Sequence, residues 1–113
     1  MMSANRHRGE IVAEFDGKPY RLCLTLGALA ELETAFAADD LGALVARFAG
    51  GKLSAGDMTK ILGAGLRGAG HAISDDEVRQ LRCADGAAGF ARTVADLLTT
   101  TFGAAGTATT PGP

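Results

Sequence analysis

Between residues 9 and 24 the chain alternates in a strand-like way. Ile11, Ala13 and Phe15 fall on one face of an extended segment, and Tyr20, Leu22 and Leu24 on one face of the next, with Arg21 and Cys23 opposite. Asp16-Gly17-Lys18-Pro19 between them supplies turn residues, so the stretch predicts a β-hairpin. A two-residue Asp-Gly loop would put Pro19 inside the second strand. A four-residue loop avoids this, pairing Phe15 with Tyr20, Ala13 with Leu22 and Ile11 with Leu24, and setting Glu14 opposite Arg21. The four-residue register is therefore expected. An isolated hairpin is marginal in water, so its apolar face must lie on helices.

From Leu26 the period changes to three and four. Leu29, Leu32 and Phe36 define a helix over about 25–37, with Thr25 placed to cap its first free amides. Leu41, Leu44, Val45 and Phe48 predict a second helix over 40–49, ended by Gly50-Gly51. A third over 55–68 has Ser54 as cap, Asp57 in a capping-box position, and a hydrophobic staple from Leu53 to Met58, with Ile61, Leu62 and Leu66 continuing its face. The fourth, over 75–83, repeats the device with Ser74, Glu77 and an Ile73–Val78 staple. Phe90, Val94, Leu97, Leu98 and Phe102 mark a fifth over 86–102, stopped by Gly103. Residues 1–8 are polar and 104–113 small and turn-forming, and both are expected to be loose. The fold class that follows is α+β: one domain over 9–103, an N-terminal β-hairpin packed on a compact bundle of about five short helices.

Composition narrows the function without naming it. The 113 residues are 47% hydrophobic but only 5% aromatic, and the net charge is −2 with both signs interspersed. A protein that binds nucleic acid by neutralising phosphate shows a basic face, and Arg6-His7-Arg8 is too short a run to make one. Cys23 and Cys83 form neither a disulfide framework nor a zinc site, and read as free thiols. No basic start leads into a long apolar run, so a soluble cytoplasmic protein without signal peptide or membrane span is expected.

The sharpest motif is Gly63-Ala64-Gly65-Leu66-Arg67-Gly68, a literal GxGxxG. In a dinucleotide site a strand delivers these glycines to the start of a helix, where free amides meet the pyrophosphate. Here the preceding Met58 to Leu62 are helical and no βαβ unit surrounds them, so helix closure and close packing around Gly65 explain the glycines better. His71 lacks an activated nucleophile or orienting partner. Asp75, Asp76 and Glu77 lack the spacing of a calcium loop and suit the first turn of a helix. A helix-turn-helix reading of the third and fourth helices would aim those acids at phosphate. No catalytic residue, metal ligand or cofactor site emerges, and elimination leaves an interaction protein.

Arg8-Gly9-Glu10, Leu22-Cys23-Leu24-Thr25-Leu26-Gly27-Ala28-Leu29-Ala30-Glu31-Leu32-Glu33, Ile61-Leu62-Gly63-Ala64-Gly65-Leu66-Arg67-Gly68 and Ser74-Asp75-Asp76-Glu77-Val78, in that order and spacing, resemble the gene transfer agent family of tail assembly chaperones. The resemblance covers roughly residues 5–103. It implies a protein that binds the tape measure protein, assists tail tube assembly with possible tail tube contacts and self-association, and needs no nucleic acid, membrane or cofactor. Two alternatives stay open: a structural tail component retained in the particle, and a small DNA-binding regulator. The residues proposed for partner binding are Gly65, Leu66, Arg67 and Gly68, with Arg67 as anchor. The competing account is that they close the helix and pack inside the domain.

Overall fold

The computed structural model describes residues 9–49 and 52–103. Expectations for residues 1–8, for Gly50-Gly51 and for 104–113 lie outside the described residues. The elements run β1 (Glu10–Phe15), β2 (Lys18–Cys23), α1 (Leu26–Ala35), α2 (Leu41–Ala49), α3 (Ala55–Gly68), α4 (Asp75–Val78) and α5 (Gly86–Phe102). This is the expected α+β class, with an antiparallel hairpin followed by five helices. The hairpin lays one face across two helices, α3 chiefly beneath β2 and α5 chiefly beneath β1, and α1 and α4 flank α3. Ile11, Phe15 and Leu22 from the strands meet Leu32, Ile61, Leu66, Val94 and Leu97 from the helices in one buried core.

The hairpin register differs from the expected one. Ile11 stands opposite Leu22, Ala13 opposite Tyr20, Glu14 opposite Pro19 and Phe15 opposite Lys18, so the loop is the two residues Asp16-Gly17. Arg21 faces Val12 instead of Glu14. A slip of two residues leaves every side chain on its original face, so the apolar alternation fits both registers equally. Two other factors decide. Asp16 (φ 55°) and Gly17 (φ 75°) both have positive φ, the combination whose twist matches the strands of a tight hairpin. Closing pairs of such hairpins are hydrogen-bonded and successive pairs alternate, so the missing N–H of Pro19 points outward, where the ladder needs no donor. Asp16 is also held from outside: its N–H donates to the Arg82 carbonyl (2.8 Å), and its carboxylate accepts from the Arg82 N–H (3.0 Å).

Helix ends follow the local chemistry. The Thr25 hydroxyl accepts from Ala28 N–H (3.1 Å), and capping boxes join Ser54 with Asp57 and Ser74 with Glu77. The C-terminus of α1 closes with Ala38 N–H on Glu33 O (2.8 Å) and Ala37 N–H on Thr34 O (3.2 Å). That is a Schellman motif, with alanine (φ 52°) where glycine is usual. The fourth helix is a single turn, 75–78, shorter than the expected 75–83. Gln80 and Leu81 make tightened i→i−3 bonds, and the chain then leaves the helix so that Arg82 can pair with Asp16. The stripe expected on α2 also divides. Leu44 and Phe48 are buried, with Phe48 edge-on to Phe36, whereas Leu41 and Val45 are 39% and 38% exposed.

Candidate functional site

The stretch proposed for partner contact occupies the last turns of α3, the helix touched by most of the other elements. Residues 61–66 are all buried. The three glycines of the GxGxxG run, Gly63, Gly65 and Gly68, lie within the helix, and each allows a close approach. A Cβ on Gly65 would sit 2.7 Å from Leu97 Cδ2 and 3.4 Å from Leu22 Cβ, so the helix surface is cut back where α5 and β2 converge. A Cβ on Gly63 would overlap the Asp75 carboxylate, and one on Gly68 would overlap the backbone carbonyl of Cys23. The GxGxxG spacing thus seats a helix against a strand and two helices, with no strand delivering it.

Arg67 projects from the same turns into an intramolecular network. Its guanidinium grips Glu31 through two bonds, NH2 to Oε1 (2.7 Å) and Nε to Oε2 (3.3 Å). NH1 donates to the Ile73 carbonyl (2.9 Å) and pairs with Asp75 Oδ1 (3.1 Å). The Glu31 hydrogen bond is the main reason the Arg67 pKa rises above its usual value; desolvation opposes the rise and Asp75 adds to it. The side chain is 30% exposed. One arginine thereby ties α1, α3, the connection at Ile73 and the start of α4, and a planar fork is suited to such a bidentate grip.

The structure therefore places Gly65 and Leu66 in the core, Gly68 against β2, and Arg67 on Glu31 and Asp75. The other singled-out residues also have local partners. His71 sits edge-on to Tyr20 with ring centroids 5.4 Å apart, and its backbone N–H donates to the Leu66 carbonyl (3.0 Å). Asp76 pairs with Arg79, and Glu77 completes a capping box. Cys23 and Cys83 are not joined in a disulfide. The exposed apolar positions escaped the sequence reading: Leu26, Leu41, Val45 and Val12 stand out of the core. Leu26 carried none, since it stands three residues before Leu29, a spacing that fits the buried stripe. Leu41 and Val45 carried none, because their spacing also fits a buried face.

No curated protein and no solved structure matches the chain. A family model does, that of the phage tail tube protein GTA-gp10, over residues 8–104. The match takes in both strands, all five helices and the packed glycines of α3. The chain belongs to the GTA-gp10 phage tail tube protein family, and so to the proteins of gene transfer agent and phage tail modules.

Proposed function

We propose that the protein is a structural component of a phage-like tail, working through contacts with copies of itself and with other tail proteins. The observation that supports this is the family match across residues 8–104. The geometry is in keeping with it. Gly65 and Leu66 are committed to the interior, Gly68 to the backbone of β2 and Arg67 to Glu31, so we place the partner-facing surface elsewhere, on the exposed apolar residues. Leu26 is 78% exposed at the start of α1, and Leu41 and Val45 stand one turn apart on α2, half-exposed at the margin of the apolar stripe that buries Leu44 and Phe48.

A second reading, an assembly chaperone for the tape measure protein, draws on that α2 surface. An amphipathic helix whose apolar stripe leaves Leu41 and Val45 half-exposed at its margin suits docking of a helical partner chain, and requires no catalytic group. Quantitative mass spectrometry of purified particles separates the two. Retention in a fixed ratio to the other tail proteins supports the structural component. Absence from particles, with capture of the tape measure protein in the producing cell, would overturn it in favour of the chaperone.

A further inference from the structure

Among the described residues, the second helix is held in the fold by side chains alone. It packs on α1 and touches the other elements only marginally. No backbone hydrogen bond among the described residues joins 41–49 to another element. Its cap is its own, since Ala43 N–H donates to Asp40 Oδ1 (2.8 Å). The start of α3 does not depend on it either: Ser54 and Asp57 complete their capping box between themselves. What seats α2 is Leu44 and Phe48, 0% and 8% exposed, with Phe48 edge-on to Phe36 at the end of α1 (5.3 Å between centroids). Arg47 adds an ion pair to Asp57 (3.4 Å) and, like Lys60 of α3, lies 5.3 Å from the centre of the Phe36 ring. A segment with so few ties opens at a free energy below that of global unfolding.

We propose that α2 is the resident occupant of a helix-binding seat, displaced when a helical segment of a partner protein takes its place. The partner segment carries α2's own pattern: an aliphatic residue, an arginine three places on and a phenylalanine next, the spacing of Leu44, Arg47 and Phe48. The seat already holds that pattern. It buries an aliphatic side chain, sets an aromatic ring against Phe36, and brings a cation to Asp57 with Lys60 at the same ring. The α2 of a second copy is a poorer occupant. It is tied at both ends, by residues 36–40 to α1 and 50–54 to α3, so two connections would have to cross between molecules. A partner that binds only the open form shifts the population toward it, with an affinity lowered by the rarity of that form. Assignment of the seat rests on the reading that the chain works through protein partners, yet fails separately from it: particle composition tests that reading, and the isolated chain tests the seat.

The test uses the isotopically labelled full chain. A detached helix of 9 residues is too short to persist in water, so opening exposes its amides to exchange. The Leu44 to Phe48 amides should exchange about a hundredfold faster than those of Ile61 to Leu66, with no dependence on low urea. A synthetic peptide with the sequence of residues 39–49 should then shift the Phe36 ring resonances and speed exchange in the resident α2. The same peptide carrying Phe48→Asp should do neither. Leu44→Ser in the chain weakens the resident helix and should tighten the first peptide about tenfold. Arg47→Ala, at an exposed position, should tighten it about threefold, and serves if Leu44→Ser unfolds. Exchange in α2 at the rate and urea dependence of α3 overturns the proposal, as do equal effects of the two peptides, no effect of either, or variants that bind no more tightly than the parent. Concentration-dependent change in α2 without peptide also overturns it, by giving the seat to a second copy.

Discussion

Replacing Gly68 and Gly56 by alanine tests the packing of α3 with opposite expected signs in one helix. At Gly68 the new methyl group would overlap the Cys23 carbonyl and lie 3.3 Å from Ala28 Cβ. The obstacle is backbone, so relief requires β2 or α3 to shift. Overpacking of this sort costs about 3 kcal/mol at the upper end of its usual range. The helix gains at most about 1 kcal/mol from alanine, leaving a net loss of about 2 kcal/mol. At exposed Gly56 the nearest atom to an added Cβ is Ser54 Oγ at 3.7 Å, an ordinary contact. There only the propensity gain remains, about 0.7 kcal/mol. At about 4 °C per kcal/mol for a chain of this size, Gly68→Ala should lower Tm by about 8 °C and Gly56→Ala raise it by about 3 °C. Thermal unfolding followed by circular dichroism, with urea titrations to check that m is unchanged, reads both. A Gly68→Ala protein as stable as the parent would refute the close approach of α3 to β2.

Arg67→Ala should cost about 2 kcal/mol, and its coupling to Glu31→Ala in a double-mutant cycle should be about 1 kcal/mol, held down by the exposure of both side chains. Arg67→Lys should recover little of this, because an ammonium cannot make the bidentate grip; full recovery would contradict the network. Ala37→Gly should stabilise by about 1 kcal/mol, since it relieves an alanine held at φ 52° in the Schellman motif. Denaturant titration that finds it neutral or destabilising would count against that helix end. Asp16→Ala should cost about 2 kcal/mol, through strain at φ 55° and loss of the bond from Arg82, while Asp16→Asn keeps most of the stability. Equal losses for the two variants would exclude the side-chain bond as a contributor.

The fold class was legible because its signals are local. A change of period at Thr25, and serine caps followed three residues later by Asp57 and Glu77, depend only on neighbours in sequence. The register was not legible, since parity survives a slip of two and the apolar pattern is blind to it. The early end of α4 was hidden for another reason: Arg82 is withdrawn from the helix by Asp16, 66 residues away. At the candidate site the glycine cluster could be recognised as a place of close packing, and Gly65 does sit under Leu22 and Leu97. The partner of Arg67 could not be named, because Glu31 lies 36 residues upstream with nothing local to connect them. The exposed face of α2 was misplaced since spacing reveals that a helix has a stripe, but not how much of it the neighbours reach.

The stacking of Phe15 on Phe90, with centroids 5.7 Å apart, has a consequence in time. The hairpin is synthesised before the five helices, yet α5, which covers β1, follows all the other described elements. Joining the two closes a loop of about 75 residues, at an entropic cost about 2.6 kcal/mol greater than that of closing a four-residue loop. Until α5 has left the ribosome, Ile11 and Phe15 lack part of their cover, and the strand edge of β1 is accompanied by a partly open face. The interval between those two events is when the nascent chain is most prone to pair with the wrong strand, and the glutamates at positions 10 and 14 are the groups placed to discourage it.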